Sequence, residues 1–109
     1  MEAAIKAIAE PRRRDILRLV RDAEMPAGQI AAHFEVTRPA ISQHLRVLKE
    51  AGLVSERRDG ARRLYRARPE MLDEVRRFLE RFWEVELDRL KVLAEEEEGR
   101  RRGDAGDRR

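Results

Sequence analysis

The chain has 109 residues; Asp, Glu, Lys and Arg make up 43% of them, hydrophobic residues 41%, and cysteine is absent. A chain of this length is one domain with a modest core, for which self-association is a ready source of added stability. Without cysteine there are no disulfides and no thiolate chemistry; Met1 to Glu10 carry charges and lack a signal-peptide pattern, and no apolar run approaches the roughly 20 residues that span a bilayer, so the expectation is a soluble, cytoplasmic protein with no membrane partner.

The first helix is expected over Ala3 to Ala9, with Ile5, Ile8 and Ala9 on one side. Pro11 suits the first position of a second helix, where its missing N–H costs nothing, and Ile16, Leu19 and Val20 then recur at helical spacing. Pro26 is expected to start a third helix in the same way, with Ile30 and Phe34 apolar and His33 structural. Thr37 is a good N-cap for a fourth helix from Arg38 to about Ala51, and Gly52 is placed to end it in a left-handed conformation. Leu53 and Val54 open a strand. Asp59-Gly60 is read as the centre of a type I′ hairpin turn, and Leu64 and Tyr65 lie on the return strand. A long helix follows from about Glu70 to Glu97. Residues 99–109 contain no large apolar side chain and are expected to form a disordered basic tail, leaving 1–98 as the folded domain.

Charge is strongly segregated along this plan. Residues 1–35 are neutral and residues 69–98 carry a net −6, whereas residues 36–68 carry nine basic and three acidic side chains. That positive stretch is the fourth helix and the hairpin, with Arg57, Arg58, Arg62, Arg63 and Arg66 inside ten residues. A helix that fits a major groove, followed by a basic β-ribbon, is the layout of a winged helix-turn-helix: mainly α with a small β-hairpin. The concentrated charge points to a polyanion partner, here double-stranded DNA.

Projected at 100° per residue, the fourth helix has two faces. Ile41, Leu45 and Leu48 centre the packed one. Arg38, Ser42, Gln43, Arg46, Lys49 and Glu50 lie opposite. Arg forks onto guanine, Gln onto adenine, and Ser reaches bases or phosphate. Residues near the start of such a helix reach bases and later ones reach backbone, which assigns Arg38, Ser42 and Gln43 to base readout and Arg46 to phosphate, with Thr37 at the head of the helix. His44 projects on the packed side and reads first as a partly buried structural histidine; a phosphate contact from the edge of the helix is the alternative and keeps it in the candidate set. On the hairpin Arg58, Arg62 and Arg63 are the DNA candidates, Arg62 and Arg63 foremost, and the register decides which of these two points to DNA.

The last helix is apolar over an arc of roughly 200°. One side holds Met71, Val75, Phe78, Phe82, Val85 and Leu93; the other holds Leu72, Leu79, Trp83, Leu87 and Leu90. A small domain cannot cover both, so one side is expected to pack on its own domain and the line Leu79, Trp83, Leu87 and Leu90 on a twin helix. Glu86 sits inside the arc and needs a partner, expected to be an arginine across the dimer. Two reading helices about a twofold axis would enter successive major grooves about 34 Å apart, matching an inverted repeat.

The strings AEPRRRDILRLV, TRPAISQHLRVLKEAGLV and RRDGARRLYRA resemble the ArsR (ArsR/SmtB) family of bacterial transcriptional regulators over about residues 3 to 97. The resemblance implies a winged helix-turn-helix homodimer with the first and last helices at the interface, which adds Ile5 and Ile8 to the dimer residues. It also implies a repressor that leaves its operator when an inducer binds. Pro26 and Gly28 fall where many members carry a metal-binding Cys-x-Cys pair, and the last helix has no histidine. Soft metal sensing needs thiolates or imidazoles, so no metal and no cofactor are expected, and the ending FWEVELDRLKVLAEEEE resembles the non-metal branch. The effector is not identified.

No enzyme is expected: there is no cysteine, no Gly-rich phosphate loop, and both histidines lie in structural settings. The rival readings are a winged-helix module that binds protein and a ligand- or metal-responsive repressor. An apolar patch on the fourth helix would favour the protein-binding module. The charged face there favours DNA.

Overall fold

The computed structural model describes the backbone of residues 1–107 and the side chains of residues 1–102. Its elements are α1 (Glu2–Ala9), α2 (Pro11–Val20), β1 (Met25–Pro26), α3 (Ala27–Ala31), α4 (Arg38–Glu50), β2 (Val54–Asp59), β3 (Arg62–Ala67) and α5 (Pro69–Asp107). Residues 1–75 form one compact unit and residues 76–109 a second. Among the described residues no helix is long and apolar enough to cross a membrane.

Helices α2 and α4 bury the stripes their spacing predicts, whereas α1 buries Ala4 and Ala7 where Ile5, Ile8 and Ala9 were expected, Ile5 and Ile8 being half-buried and Ala9 exposed, and Phe34 lies beyond α3. Ala4 and Ala7 come from α1, Ile16, Leu17 and Val20 from α2, Ile30 from α3, and Ile41, Leu45 and Leu48 from α4. Leu53, Val54, Ala67 and Val75 close the same core. Burying a side chain of this size contributes roughly 1.5–3 kcal/mol.

The N-terminal arginines turn out to be structural. Arg13 donates to the carbonyls of Ala7 (2.7 Å) and Lys6 (3.2 Å), and Arg14 to those of Ile8 (2.8 Å) and Ala9 (3.0 Å). These are the carbonyls that α1 leaves unpaired at its C-terminal end, the negative pole of its dipole. Arg12 lies over the Phe34 ring at 4.9 Å, a cation–π contact tying α2 to the turn after α3. Glu10 is the N-cap of α2 and accepts from the Arg13 N–H at 2.9 Å. Partial desolvation pulls the Glu10 carboxyl up, but the Arg13 and Arg12 N–H groups and the charges of His44 and Arg13 outweigh it and hold the group below its ordinary 4.5.

Several local expectations are corrected. Pro26 does not open the third helix from within; it is the N-cap of α3 and belongs to β1, paired with Leu64. The sheet is therefore three-stranded and antiparallel in the order β1-β3-β2, not a lone hairpin. Its edge position lets Pro26 dispense with a ladder donor. Helix α3 ends at Ala31, so His33 lies beyond it, exposed, with its Nδ1–H donating to the Gln29 carbonyl at 2.9 Å. The hairpin turn is Gly60-Ala61, because Asp59 pairs with Arg62. Only Gly60 has positive φ (+61°), with Ala61 in the ordinary region, which is the II′ requirement and not the I′ one.

Thr37 caps α4 as expected: its Oγ1 accepts from the Ala40 N–H at 3.3 Å. At the other end Gly52 (φ +78°) completes a Schellman motif, with Leu53 N–H to Leu48 O at 2.9 Å and Gly52 N–H to Lys49 O at 3.0 Å. Helix α5 continues past Glu97, through the segment from Gly99 expected to be disordered, to Asp107. Arg101 with Glu97 (3.6 Å) and Arg102 with Glu98 (2.9 Å) are i,i+4 pairs that support the extra turns. Arg108 and Arg109 lie outside the described residues.

Leu48→Ala should destabilise the protein by about 2–5 kcal/mol with an unchanged urea m-value, since a fully buried leucine leaves a cavity the fixed α4 cannot close. A chemical denaturation series measures this. Because the folded Glu10 is acidified, its contribution is present above 4.5 and is lost as pH falls through its lowered value. Glu10→Gln should therefore lower thermal stability slightly at neutral pH and flatten the decline below pH 4.5. The effect stays small because the side chain is 37% exposed and solvent-screened.

Candidate nucleic-acid interface

The local rules that make α4 also aim it. With Ile41, Leu45 and Leu48 fully buried, the 100° step puts Arg38, Ser42, Gln43 and Arg46 outward, and all four are exposed. Thr37, at the head of the helix, is exposed as well. Arg38 leans back along α3: its Cζ lies 3.7 Å from where a Cβ on Gly28 would stand, so glycine there leaves room for the guanidinium. Arg46 has an intrahelical partner in Glu50 at 3.6 Å.

His44 is turned the other way. Its side chain is 24% exposed and sits 3.9 Å from the Glu10 carboxylate and 3.4 Å from the Arg13 guanidinium, at the α1–α2 junction. Its side chain lies where α4 packs on the α1–α2 junction, the first of the two settings expected for it.

The hairpin register resolves the two faces of the ribbon. Val54, Glu56 and Arg58 are opposite Ala67, Tyr65 and Arg63, and share one face. Ser55, Arg57 and Asp59, opposite Arg66, Leu64 and Arg62, share the other. Arg57 is held by Glu24 through two hydrogen bonds (3.0 and 3.3 Å), which raise its pKa. Arg62 pairs with Asp59 at 3.3 Å. Arg63 pairs with Glu56 at 3.4 Å. Arg58 and Arg38 have no ion pair among the described residues. Arg58 directly opposite Arg63 is a like-charge cross-strand pair, partly offset by the Glu56 carboxylate on Arg63.

Between α4 and the hairpin lies a groove of about 580 Å³ lined by Arg38, Ser42, Arg46, Lys49, Arg62 and Arg63 on its basic walls. Five of these six were singled out from the sequence as DNA candidates, and the fold converges them on one concavity. Gln43 and Arg58, also singled out from the sequence, are exposed but do not line it.

Glu56 and Tyr65 also line the groove and were not among the residues singled out from the sequence. Glu56 is the one carboxylate of the groove; its side chain is only 17% exposed, and it salt-bridges Lys49 at 3.0 Å as well as Arg63. Tyr65 stands opposite it, its hydroxyl pKa raised first by burial and then by the Glu56 charge. Alternation along the hairpin, once the turn is placed at Gly60-Ala61, is the signal that puts Glu56 on the Arg58–Arg63 face. Among the described residues no group of three or more His, Asp or Glu side chains is arranged to hold a metal ion.

Residues 10–56, which include α4 and the entry to the hairpin, match the family model described as bacterial regulatory protein, arsR family. The HTH-type transcriptional regulator Rv2034 of Mycobacterium tuberculosis is 38% identical over 96 residues, covering 88% of this chain and 90% of that protein. The transcriptional repressor SdpR of Bacillus subtilis is 47% identical over 60 residues, 55% of this chain and 67% of that one. Among solved structures, a possible transcriptional regulator for arsenical resistance superimposes with a TM-score of 0.71 at 46% identity, covering 84% of this chain and 95% of its own. A homodimeric winged helix-turn-helix DNA-binding domain from Mycobacterium bovis does so with a TM-score of 0.63 at 30% identity, covering 76% and 77%. With a basic groove between an outward helix and a wing, and a relative 38% identical that is covered over 90% of its length, this chain belongs to the ArsR family and is a winged helix-turn-helix, DNA-binding transcriptional regulator.

Proposed function

We propose that the protein is a homodimeric repressor that reads an inverted-repeat operator in the cytoplasm, residues 1–98 carrying both DNA binding and dimerisation. The observation that carries this reading is the groove between α4 and the hairpin, where base-reading and phosphate-binding side chains converge. Arg38, Ser42 and Gln43 face base edges, and Arg46, Arg58, Arg62 and Arg63 take phosphates. The charged, exposed character of this face favours DNA over a protein partner.

Dimerisation is supported by the second unit. Leu79, Trp83, Leu87 and Leu90 are all 39% or more exposed, and Phe78, Phe82, Val85, Val92 and Leu93 stand exposed beside them. An apolar surface of that extent marks an association site, and a twin helix is an occupant with the same apolar repeat. Glu86 meets its arginine on its own helix, Arg89 at 3.6 Å, so the pair can enter an apolar seam already matched in charge. Ile5 and Ile8, both half-buried, join the interface in this reading. The relative from Mycobacterium bovis is described as homodimeric, and the relative from Bacillus subtilis as a repressor.

The decisive experiment is a mobility-shift and footprinting assay with the promoter of the protein's own gene, combined with a reporter. Twofold-symmetric protection, and reporter output that rises when the protein is removed, are the expected results; an unprotected promoter fragment with unchanged output would sink the reading. Gln43→Ala should cost about 1–3 kcal/mol at one operator base pair per half-site while leaving random-sequence binding nearly intact. A uniform loss on all sequences would remove Gln43 from base readout. Trp83→Glu should convert the dimer to monomer in sedimentation and lower operator affinity at least tenfold, because half-sites are then bound singly. An unaltered sedimentation profile would move the seam elsewhere.

A further inference from the structure

Glu56 is out of character with its surroundings. It is the one acidic side chain lining a groove whose charged wall is Arg38, Arg46, Lys49, Arg62 and Arg63, the rest of the lining being uncharged. It is not a loosely solvated carboxylate, since Tyr65 lies opposite it and little of it is exposed. Its two oxygens are divided between two elements: Oε2 takes Lys49 Nζ of α4 at 3.0 Å, and Oε1 takes Arg63 Nε of β3 at 3.4 Å. Both cations point into the groove where phosphate would arrive.

Resting on the DNA-binding reading above, we propose that Glu56 is a specificity-determining counter-charge, which withholds Lys49 and Arg63 from random-sequence DNA and releases them only on an operator. Nonspecific binding is driven by cations that displace counterions from phosphates. Lys49 and Arg63 are 52% and 59% exposed, but each already holds a carboxylate that is only 17% exposed, so each adds less to that drive than an unpaired cation would. On a correct sequence Arg38, Ser42 and Gln43 supply base contacts, and these offset exchanging the carboxylate for phosphate. Arg58 and Arg38, with no ion pair among the described residues, are left as cations that meet any duplex first.

The test uses the full chain with two probes, a random-sequence duplex and the tightest duplex recovered by in vitro selection, each titrated across a salt series. Glu56→Gln should tighten random-sequence binding by roughly 5- to 10-fold per cation released and steepen its salt slope by about one to two. Selected-duplex affinity should change less, so the specificity ratio narrows. Glu56→Asp, which keeps the charge, should stay close to the parent slope. Lys49→Gln should lower the random-sequence slope by clearly less than the roughly 0.9 expected of a free phosphate contact. The proposal is overturned if Glu56→Gln leaves slope and ratio unchanged or weakens both duplexes equally, as a purely structural strut would. It is overturned too if Lys49→Gln removes a full phosphate contact from nonspecific binding, a result that holds even if the glutamine variant at position 56 does not fold. A parent protein that selects no duplex would instead sink the DNA-binding reading itself.

Discussion

The whole DNA-facing apparatus depends on the burial of three side chains of α4. Ile41, Leu45 and Leu48 have no accessible surface, and a helix held by that stripe cannot rotate without exposing it. The outward direction of Arg38, Ser42, Gln43 and Arg46 is thus a by-product of core packing. The hairpin inherits its position from the same anchor, because the Schellman motif at Gly52 closes directly onto the Leu48 carbonyl. Hydrophobic burial, a left-handed glycine and strand register act in series, and the groove is their product.

Charge acts at a second level. The basic segment between residues 36 and 68 draws a polyanion, yet few of its arginines are free. Arg57 is committed to Glu24, Arg62 to Asp59 and Arg63 to Glu56. The run Arg12-Arg13-Arg14, which could pass for another basic patch, is spent on the end of α1 and on the Phe34 ring. A net-charge count therefore overstates the number of cations ready for phosphate and misses that their partners lie on the same surface. Exposed pairs of this kind contribute little stability; their weight falls on which anions the surface accepts.

Long-period features were legible before any coordinates. The amphipathic stripes of α2 and α4, the Thr37 cap, the Gly52 terminus and the exposed arc on α5 all follow from spacing and local stereochemistry, which act over a few residues. What was not legible depends on partners distant in the chain. The two-residue strand at Met25–Pro26 exists only because Tyr65 and Leu64 are there to pair with it. The turn at Gly60-Ala61 instead of Asp59-Gly60 reflects a choice between two tight turns that one glycine can serve, settled by the pairing of Asp59 with Arg62. Glu56 carries no signal in the sequence; only the strand pairing puts it across from Tyr65, 3.0 Å from Lys49. His44 could be placed on the packed side by projection, but its neighbours Glu10 and Arg13 come from another helix.

Leu53 gives the wing a mechanical character. Its N–H is taken by the last turn of α4 through Leu48, and its carbonyl receives the Arg68 N–H at 2.8 Å, where the chain leaves the return strand. Both roots of the ribbon are thereby riveted to one residue, while the far end carries only the Gly60-Ala61 bend. The ribbon is a cantilever: displacements vanish at its base and grow toward its tip. Arg58 and Arg62 lie past the last of the ribbon's ties to the domain, the pairing of Leu64 with Pro26 and the ion pair of Arg57 with Glu24, so a tilt of the ribbon carries them furthest.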